Sequence, residues 1–316
     1  MSDYSREFEA IVNAYEKSGG NSKQLLDKSF ASLVVSGNKV LASNSIPGVR
    51  IESETIPDGV RAKIFVDAGV TVRFPVHLCF GVIPKDGIQK IESDYIVGEN
   101  ASVSFLAHCS FPNAIKVQHL MNARIRVGKG ASLKYSETHF HGADGGIEVI
   151  PKTVVSVEER GYFKTDFKLV TGRVGKLDLD YIANLSNSAV CEMETKVYGK
   201  EDDFVRVKET INLNGTQSRG IAKSRVVVSD RSVSEVLGEV VGTGAHSRGH
   251  VDCMEIIRGN QARASAVPKL MVVDETAKLT HEAAIGSVDK KQVETLVSRG
   301  LSESEAVDVI VKGLLR

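Results

Sequence analysis

Three short segments of this sequence combine imidazole, thiol and carboxylate groups that could support metal chemistry. In the first, residues 109–142, His139 and His141 are two positions apart, and Glu137 precedes His139 at the same spacing. Side chains alternate between the two faces of a β-strand, so on a strand all three would point to one face. This group could bind a metal ion, and packed histidines without a metal are the alternative interpretation.

The second segment, residues 242–260, brings His246, His250 and Cys253 close together in the sequence. Thiolate and imidazole ligands suit zinc, iron and iron-sulfur clusters. Glu255 follows Cys253 by two positions and is expected on the same strand face. A metal or cluster site here is therefore a hypothesis, and chance proximity is the alternative.

The third segment is the pair His281 and Glu282, which stands just before a helical tail. In residues 289–316 the apolar residues recur every three to four positions, which is typical of amphipathic helices. Ser302 and Glu305 fit a capping box at the start of the last helix. The pair is therefore expected at the end of the preceding architecture, where a polar cap of the helices is the alternative role.

The elements that would position these segments are short strands in a repeating order. A turn-plus-strand unit returns about every 30 residues, as VDAGVTVRF from Val66, VGENASVSF from Val97 and VGKGASLKY from Val127. One short strand leaves its apolar face uncovered, so successive units must stack to close a core. The pattern favours a right-handed parallel β-helix over a sandwich or a double-stranded barrel.

The chain divides into three predicted regions. These are an N-terminal helical region (1–48), a β-helix core (49–278) and a C-terminal helical domain (279–316). Within the first region, apolar spacing predicts a helix over residues 5–17 and a second helical segment near residues 23–34. Open ends of a β-helix would template aggregation, so the terminal helices are expected to cover them.

Composition argues against several classes of partner and chemistry. The 40 basic and 40 acidic residues cancel, so neither nucleic acid nor an anionic membrane is indicated as a partner. No apolar run approaches the roughly 18 residues of a membrane span, and the N-terminus lacks the positive start of a signal peptide. The four cysteines contain no CxxC pair, which favours free thiols in a reducing, cytoplasmic setting. Walker A, GxGxxG and GxSxG motifs are absent from the sequence.

Two long stretches resemble a known family. THEAAIGSVDKKQVETLVSRGLSESEAVDVIVKGLLR and HCSFPNAIKVQHLMNARIRVGKGASLKYSETHFHG resemble segments of the SufB/SufD scaffold proteins of iron-sulfur cluster assembly. The resemblance extends over about residues 66–316, and the layout looks like that of the short archaeal-type minimal system. It implies a right-handed parallel β-helix flanked by helices, and a scaffold for de novo cluster assembly rather than an enzyme.

The same resemblance implies partners and a cofactor. The protein would pair with a second copy through its β-helix, and its C-terminal helices would dock a SufC-like ABC ATPase. An iron-sulfur cluster would be bound transiently, with sulfur from sulfide or a cysteine-derived donor, and would pass to recipient apoproteins.

The resemblance also implies roles for individual residues. Cys109 falls on the family's cysteine that accepts persulfide sulfur. Cys253 matches a second SufB cysteine, whereas Ala262 stands where SufB has its cluster-assembling cysteine. His281 matches a SufD histidine at the heterodimer interface, and Glu282 matches a SufB carboxylate beside it.

From these roles we predict that the cluster is held where two copies meet, by Cys253, His281 and Glu282. Further candidate metal ligands are three histidines: His139, His141 and His250. The first two fall on positions that line the family's route through the β-helix.

Two other functions remain open on the sequence. A cupin-like, metal-dependent enzyme would use His139, His141 and Glu148 to bind iron or manganese. Such an enzyme also needs a later histidine on a paired strand, and none follows before His246. The other alternative is a β-solenoid that serves only as an assembly platform.

Overall fold

The computed structural model describes residues 3–316, which contain four helices and nineteen strands. The helices are α1 (Asp3–Lys17), α2 (Ser22–Leu26), α3 (Lys290–Val297) and α4 (Glu303–Leu314). The strands are β1 (Ser32–Ser36), β2 (Lys39–Asn44), β3 (Val49–Ile56), β4 (Gly59–Val66), β5 (Val76–Gly81), β6 (Asp86–Val97), β7 (Ser102–Phe111), β8 (Lys116–Val127), β9 (Ser132–His141), β10 (Ile147–Val157), β11 (Tyr162–Thr171), β12 (Lys176–Leu185), β13 (Val190–Gly199), β14 (Phe204–Leu213), β15 (Arg219–Ser229), β16 (Val233–Gly242), β17 (Arg248–Arg258), β18 (Arg263–Val272) and β19 (Lys278–Gly286).

The strands form two long sheets that face each other across one core. Sheet A has the order β19-β17-β15-β13-β11-β9-β7-β5-β1-β2, and sheet B has the order β18-β16-β14-β12-β10-β8-β6-β4-β3. From β4 onward the chain alternates between the sheets and each strand pairs in parallel with the next strand of its own sheet. Two antiparallel hairpins, β1-β2 and β3-β4, end the sheets on the N-terminal side. The predicted mainly β, parallel β-helix fold is confirmed.

The sequence repeat corresponds to the stacking register. Val66 pairs with Val97, Val97 with Val127, and Val127 with Val157. Each of these valines is buried in the common core. One sequence unit therefore equals one turn of the β-helix, and its alternating apolar residues face inward because strand side chains alternate.

A turn residue with positive φ recurs between stacked strands. In Asn100, Arg160, Ser188, Gln217 and His246, φ lies between 56° and 60°. Each turn is hydrogen-bonded to the next: Arg160 N donates to Asn187 O at 3.0 Å, and Ser188 N donates to Thr216 O at 2.8 Å. His246 is therefore one of these repeated turn residues, and its positive φ helps to form the turn between β16 and β17.

The first predicted helix is confirmed, and the second is wrong beyond Leu26. Helix α1 covers the outer face of sheet A, where Tyr15 is buried and its hydroxyl contacts His77 Nδ1 at 2.8 Å. Residues 32–36 form β1, which pairs in parallel with β5. The run Leu-Val-Val is buried on both faces of this strand, as is usual for a parallel sheet covered on both sides. The region 1–48 therefore contains strands as well as helices.

The C-terminal helices cover a side of the β-helix, which corrects the expectation that they cover its open end. Val311 and Leu315 pack against Val227 of β15 and Ile256 of β17, on the outside of sheet A. These outward apolar residues match the apolar stripe of α4, so the helix lies across the strands. The last turn, β18 and β19, consequently stays exposed. None of the helices in residues 3–316 is both long and apolar enough to span a bilayer.

Candidate functional site

Three potential metal ligands meet inside the β-helix. Cys109 on β7 lies in register with His139 on β9, and Glu137 is two residues before His139. Glu137 Oε1 lies 2.7 Å from His139 Nε2 and 4.0 Å from Cys109 Sγ. One donor atom from each of the three side chains lies within 4.8 Å of the others, and all three side chains are buried. The predicted common face of Glu137, His139 and His141 is confirmed by their burial.

Further polar groups surround this cluster, which we call the interior triad (Cys109, Glu137 and His139). The hydroxyl of Tyr135 donates to Glu137 Oε2 at 2.9 Å, and that of Tyr181 donates to the same oxygen at 3.3 Å. On the other side, the Nδ1 atom of His139 lies 3.3 Å from the Nε2 atom of His141. The triad therefore belongs to a continuous buried network.

Burial controls the ionisation of the groups around the triad. It raises the pKa of the Cys109 thiol well above its usual range, and the carboxylate of Glu137 adds to the effect. It lowers the pKa of His141 to about 3 and that of His119 well below the usual value. Both histidines are therefore neutral, and the Cys109 thiol stays protonated unless a cation lies beside it.

The cupin-like ligand set is not assembled, so that interpretation is wrong. Glu148 lies on the outer face of sheet B, where its carboxylate accepts a hydrogen bond from Gln118 Nε2 at 2.9 Å and pairs with Lys176. His139 and His141 point into the core. Strand β10 belongs to the opposite sheet, and Glu148 lies on the outer face of that sheet. The carboxylate beside the imidazoles is that of Glu137.

The second sequence segment is divided between different surfaces. Cys253 and Glu255 are both buried on the inward face of β17, as predicted. His250 faces outward on the same strand, where its Nδ1 atom lies 2.8 Å from Thr280 Oγ1. His246 is exposed in its turn. Cys253 therefore shares no ligand set with these two histidines.

The third segment lies on the last strand of sheet A. His281 pairs in register with Val251, Glu282 with Asp252, and Ala283 with Cys253. His281 is therefore on the same face as Cys253, and Glu282 is on the opposite face. Both His281 and Glu282 are exposed.

One interior row of sheet A connects the triad with Cys253. Its members, in register from strand to strand, are Ala107, Glu137, Phe167, Thr195, Ser224, Cys253 and Ala283. Phe167 is fully buried and separates Glu137 from Thr195. The interior therefore holds two polar clusters, one on each side of this ring.

Sequence reasoning missed a buried carboxylate in the second cluster. Glu209 on β14 is inward-facing and accepts a hydrogen bond from the Thr195 hydroxyl at 2.7 Å. Burial raises its pKa from 4.5 to about 7. A signal was present, because Glu209 interrupts the alternation of Val205, Val207 and Ile211 at a position where an apolar residue is expected.

This buried carboxylate predicts a pH dependence of stability. Because the pKa of Glu209 is higher in the folded state, its contribution is complete below about pH 4.5 and is lost as the pH rises through about 7. The loss should be on the order of 2–3 kcal/mol in the free energy of unfolding. Urea unfolding at about pH 5 and about pH 8 measures this loss. Between these two pH values the free energy of unfolding should decrease less for Glu209→Gln than for the natural chain. An unchanged decrease would contradict the assignment.

Comparison with known proteins gives the family. The family model described as "SUF system FeS cluster assembly, SufBD core domain" matches residues 89–314. An iron-sulfur cluster assembly SufBD family protein of Methanocaldococcus jannaschii is 36% identical over 305 residues, covering 96% of each chain. One of Pyrococcus horikoshii is 37% identical over 310 residues, covering 98% of this chain and 94% of the relative. The assembly protein SufB of Bacillus subtilis is 25% identical over 265 residues, or 80% of this chain and 54% of SufB. The chain belongs to the SufBD family of the SUF system for iron-sulfur cluster assembly.

Proposed function

We propose that this protein is a scaffold on which iron and sulfide form a cluster where the final turns of two copies meet. The observation that carries the proposal is the open final turn, because β18 and β19 end the two sheets. Its exposed apolar side chains are Val267, Met271, Val272, Val273 and Ile285. An exposed edge strand is a template for pairing with another chain, and two-fold dimers are the commonest assemblies.

The cluster ligands in this proposal lie at or next to that edge. Cys253 is one strand inside it, roughly 5 Å away, and the residue beside it in register is the small Ala283. His281 shares the face of Cys253. In a two-fold pair each copy would supply one thiolate and one imidazole, both of which are ligands of iron-sulfur centres. Cys253 would thus take over from the cluster-assembling cysteine of SufB, whose position is occupied by Ala262 in this chain.

Glu282 has a different position in the same proposal. It projects from the face opposite to Cys253 of its own chain. As a ligand it would therefore have to reach the cluster from the outer face of the sheet. This geometry favours His281 over Glu282 as the companion of Cys253.

Sulfur acceptance at Cys109 stays a prediction from the family resemblance. The side chain is fully buried, and Phe167 fills the interior row between Glu137 and the Thr195 side of the core. Delivery of sulfur from Cys109 to the final turn along this row would therefore require side chains to move. A cysteine-derived persulfide would pass its outer sulfur to the Cys109 thiolate and leave as a thiol, whereas sulfide would enter the cluster directly at the final turn. Recipient apoproteins would take the finished cluster.

We further propose that α3 and α4 dock a SufC-like ATPase. Val297 and Val309 on these helices are 42% and 47% exposed, so both present apolar surface to a partner. Arg258 Nη1 donates to Asp308 Oδ1 at 2.7 Å and ties α4 to β17, one strand from the final turn. Closure of the ATPase could thereby shear the scaffold dimer and expose its interface.

Removal of residues 289–316 is expected to abolish association with the ATPase and leave the β-helix folded. Each turn of a solenoid contacts mainly its neighbours, so loss of the tail affects the core little. Copurification measures the association, and circular dichroism measures the β-structure. A sharper variant is Val297→Glu with Val309→Glu, and Val154→Glu on β10 is the control because Val154 is also 45% exposed. Copurification of the truncated chain would refute the docking assignment.

Anaerobic reconstitution with iron and sulfide tests the scaffold function itself. The proposal predicts a brown, visible-absorbing species that depends on Cys253. Failure to take up any iron in the folded protein would instead support a platform without metal chemistry.

A further inference from the structure

We propose that Cys109, Glu137 and His139 form a mononuclear site for a divalent transition-metal ion inside the β-helix. This site goes beyond the cluster proposed at the final turn. Strand β9 lies five strands from β19 in sheet A, which is roughly 24 Å at the usual strand spacing. The inference depends neither on dimer formation nor on sulfur acceptance by Cys109.

Hydrogen bonds orient the two histidines beside the triad. The carbonyl oxygen of Arg173 lies 2.8 Å from His141 Nδ1, and a carbonyl can only accept. His141 Nδ1 therefore carries the proton. The Nε2 atom of the same ring lies 3.3 Å from His139 Nδ1, where it is placed to accept a hydrogen bond.

When His139 donates from Nδ1, its Nε2 atom is available as a ligand. That atom lies 2.7 Å from Glu137 Oε1, so two lone pairs face each other at hydrogen-bond distance. Either a proton on Nε2 or a metal ion between the two atoms satisfies this contact. A histidine that binds a metal through one nitrogen and donates from the other is the usual arrangement in metal sites.

The thiol of Cys109 favours the metal ion over the shared proton. Its Sγ atom lies 4.0 Å from the same carboxylate oxygen. Donor atoms around one zinc ion are roughly 3–4 Å apart at normal bond lengths, so the separation of Sγ from Oε1 is close to that of two ligands of one ion. A proton between Glu137 and His139 would satisfy that pair only and would leave both ring nitrogens of the nearby His119 without a polar partner among residues 3–316.

Charge balance points the same way. Metal binding releases the Cys109 proton, and the resulting thiolate and the Glu137 carboxylate together neutralise a dication. The neutral imidazole of His139 adds no charge. The filled site is therefore electrically neutral in an apolar interior, where an isolated charge would be costly. Tyr135 and Tyr181 hold the second carboxylate oxygen and so orient the ligand.

A fourth donor lies across the interior. His119 on β8 is fully buried, and its ring centroid is 5.9 Å from that of His139. Within residues 3–316 neither of its ring nitrogens has a hydrogen-bond partner. One nitrogen of this neutral ring carries a lone pair that can turn towards the metal. Sulfur, nitrogen and oxygen donors in this combination suit Zn²⁺ or Fe²⁺.

Cobalt(II) is the probe for the test, because a thiolate bound to Co²⁺ absorbs strongly in the near ultraviolet. The full chain with Cys253→Ser, which removes the thiolate at the final turn, is refolded anaerobically with Co²⁺. We expect about one bound Co²⁺ per chain with a thiolate charge-transfer band. Adding Cys109→Ser or His139→Ala should remove the band. Adding Cys191→Ser should keep it, because Cys191 is equally buried but lies on β13.

His141 is a positioning residue in this account, and it has its own readout. His141→Ala should lower the Co²⁺ affinity about 10–100-fold and keep the thiolate band at saturating metal. Circular dichroism checks the folding of each variant, and Cys109→Ala replaces the serine variant if that variant does not fold. A folded chain without a Cys109-dependent band would overturn the proposal and leave the shared proton as the cation. Loss of reconstituted cluster in Cys253→Ser, by contrast, bears only on the proposed function.

Discussion

Cys253→Ser is expected to lose the brown species that forms on anaerobic reconstitution with iron and sulfide. Cys253 is the cysteine nearest to the open end in residues 3–316, because the other three lie on β5, β7 and β13. A serine hydroxyl is a poor substitute for a cluster thiolate. Removing a residue that only supports a metal ligand typically lowers metal affinity about 10–100-fold. Removing the ligand Cys253 itself should lower the amount of bound cluster by more than this. Visible absorption and iron content per chain measure the effect.

Two comparisons make this result specific. Cys191→Ser should retain the species, because Cys191 is a buried interior cysteine two strands further from the open end. His139→Ala should retain it as well, because the triad lies beyond Phe167. His281→Ala should cause a larger loss than Glu282→Ala, since only His281 shares the face of Cys253. If Cys191→Ser loses the brown species to the same extent, the loss in Cys253→Ser reflects damage to the fold rather than removal of a ligand.

Val267→Glu is expected to convert the dimer into monomers. Val267 lies on the terminal strand β18 and is 56% exposed. In a two-fold dimer formed at this edge, one substitution brings two carboxylates into the same interface, and like charges there cost several kcal/mol. The dissociation constant should rise roughly 100-fold or more. Analytical ultracentrifugation over a range of concentrations measures it.

Val154→Glu is the matched control for the dimer prediction. Val154 is an outward valine of the same sheet, 45% exposed, but it lies on β10 in the middle of the stack. This variant should remain dimeric and should form the cluster. If both variants dimerise like the natural chain, the final turn is not the interface.

The repeat made the fold predictable. Each unit carries its own turn and its own apolar alternation, so the stacking of Val66 on Val97 and Val127 follows from local pattern. The common face of His139 and Glu137 was predictable for the same reason, since it depends only on the spacing within one strand. The family resemblance implied the same fold.

Contacts between elements distant in the sequence were not predictable. The cupin-like alternative placed Glu148 beside the imidazoles, but Glu148 belongs to the other sheet and faces outward, where it accepts from Gln118. The tail was expected at the open end, yet it packs on Val227 and Ile256 because outward apolar residues of sheet A match α4. His246 resembled a ligand in sequence and proved to be a turn residue with φ of 57°.

Native mass spectrometry of the anaerobically reconstituted protein tests the central claim most directly, because it reports the number of chains and the bound iron and sulfide together. If the cluster forms between two final turns, iron bound together with sulfide should appear only on dimers, whereas a single iron ion without sulfide belongs to the interior triad. Cys253→Ser should then give dimers without a cluster, and Val267→Glu should give monomers without one. Clusters bound to monomers, or retained by Cys253→Ser, would contradict the account.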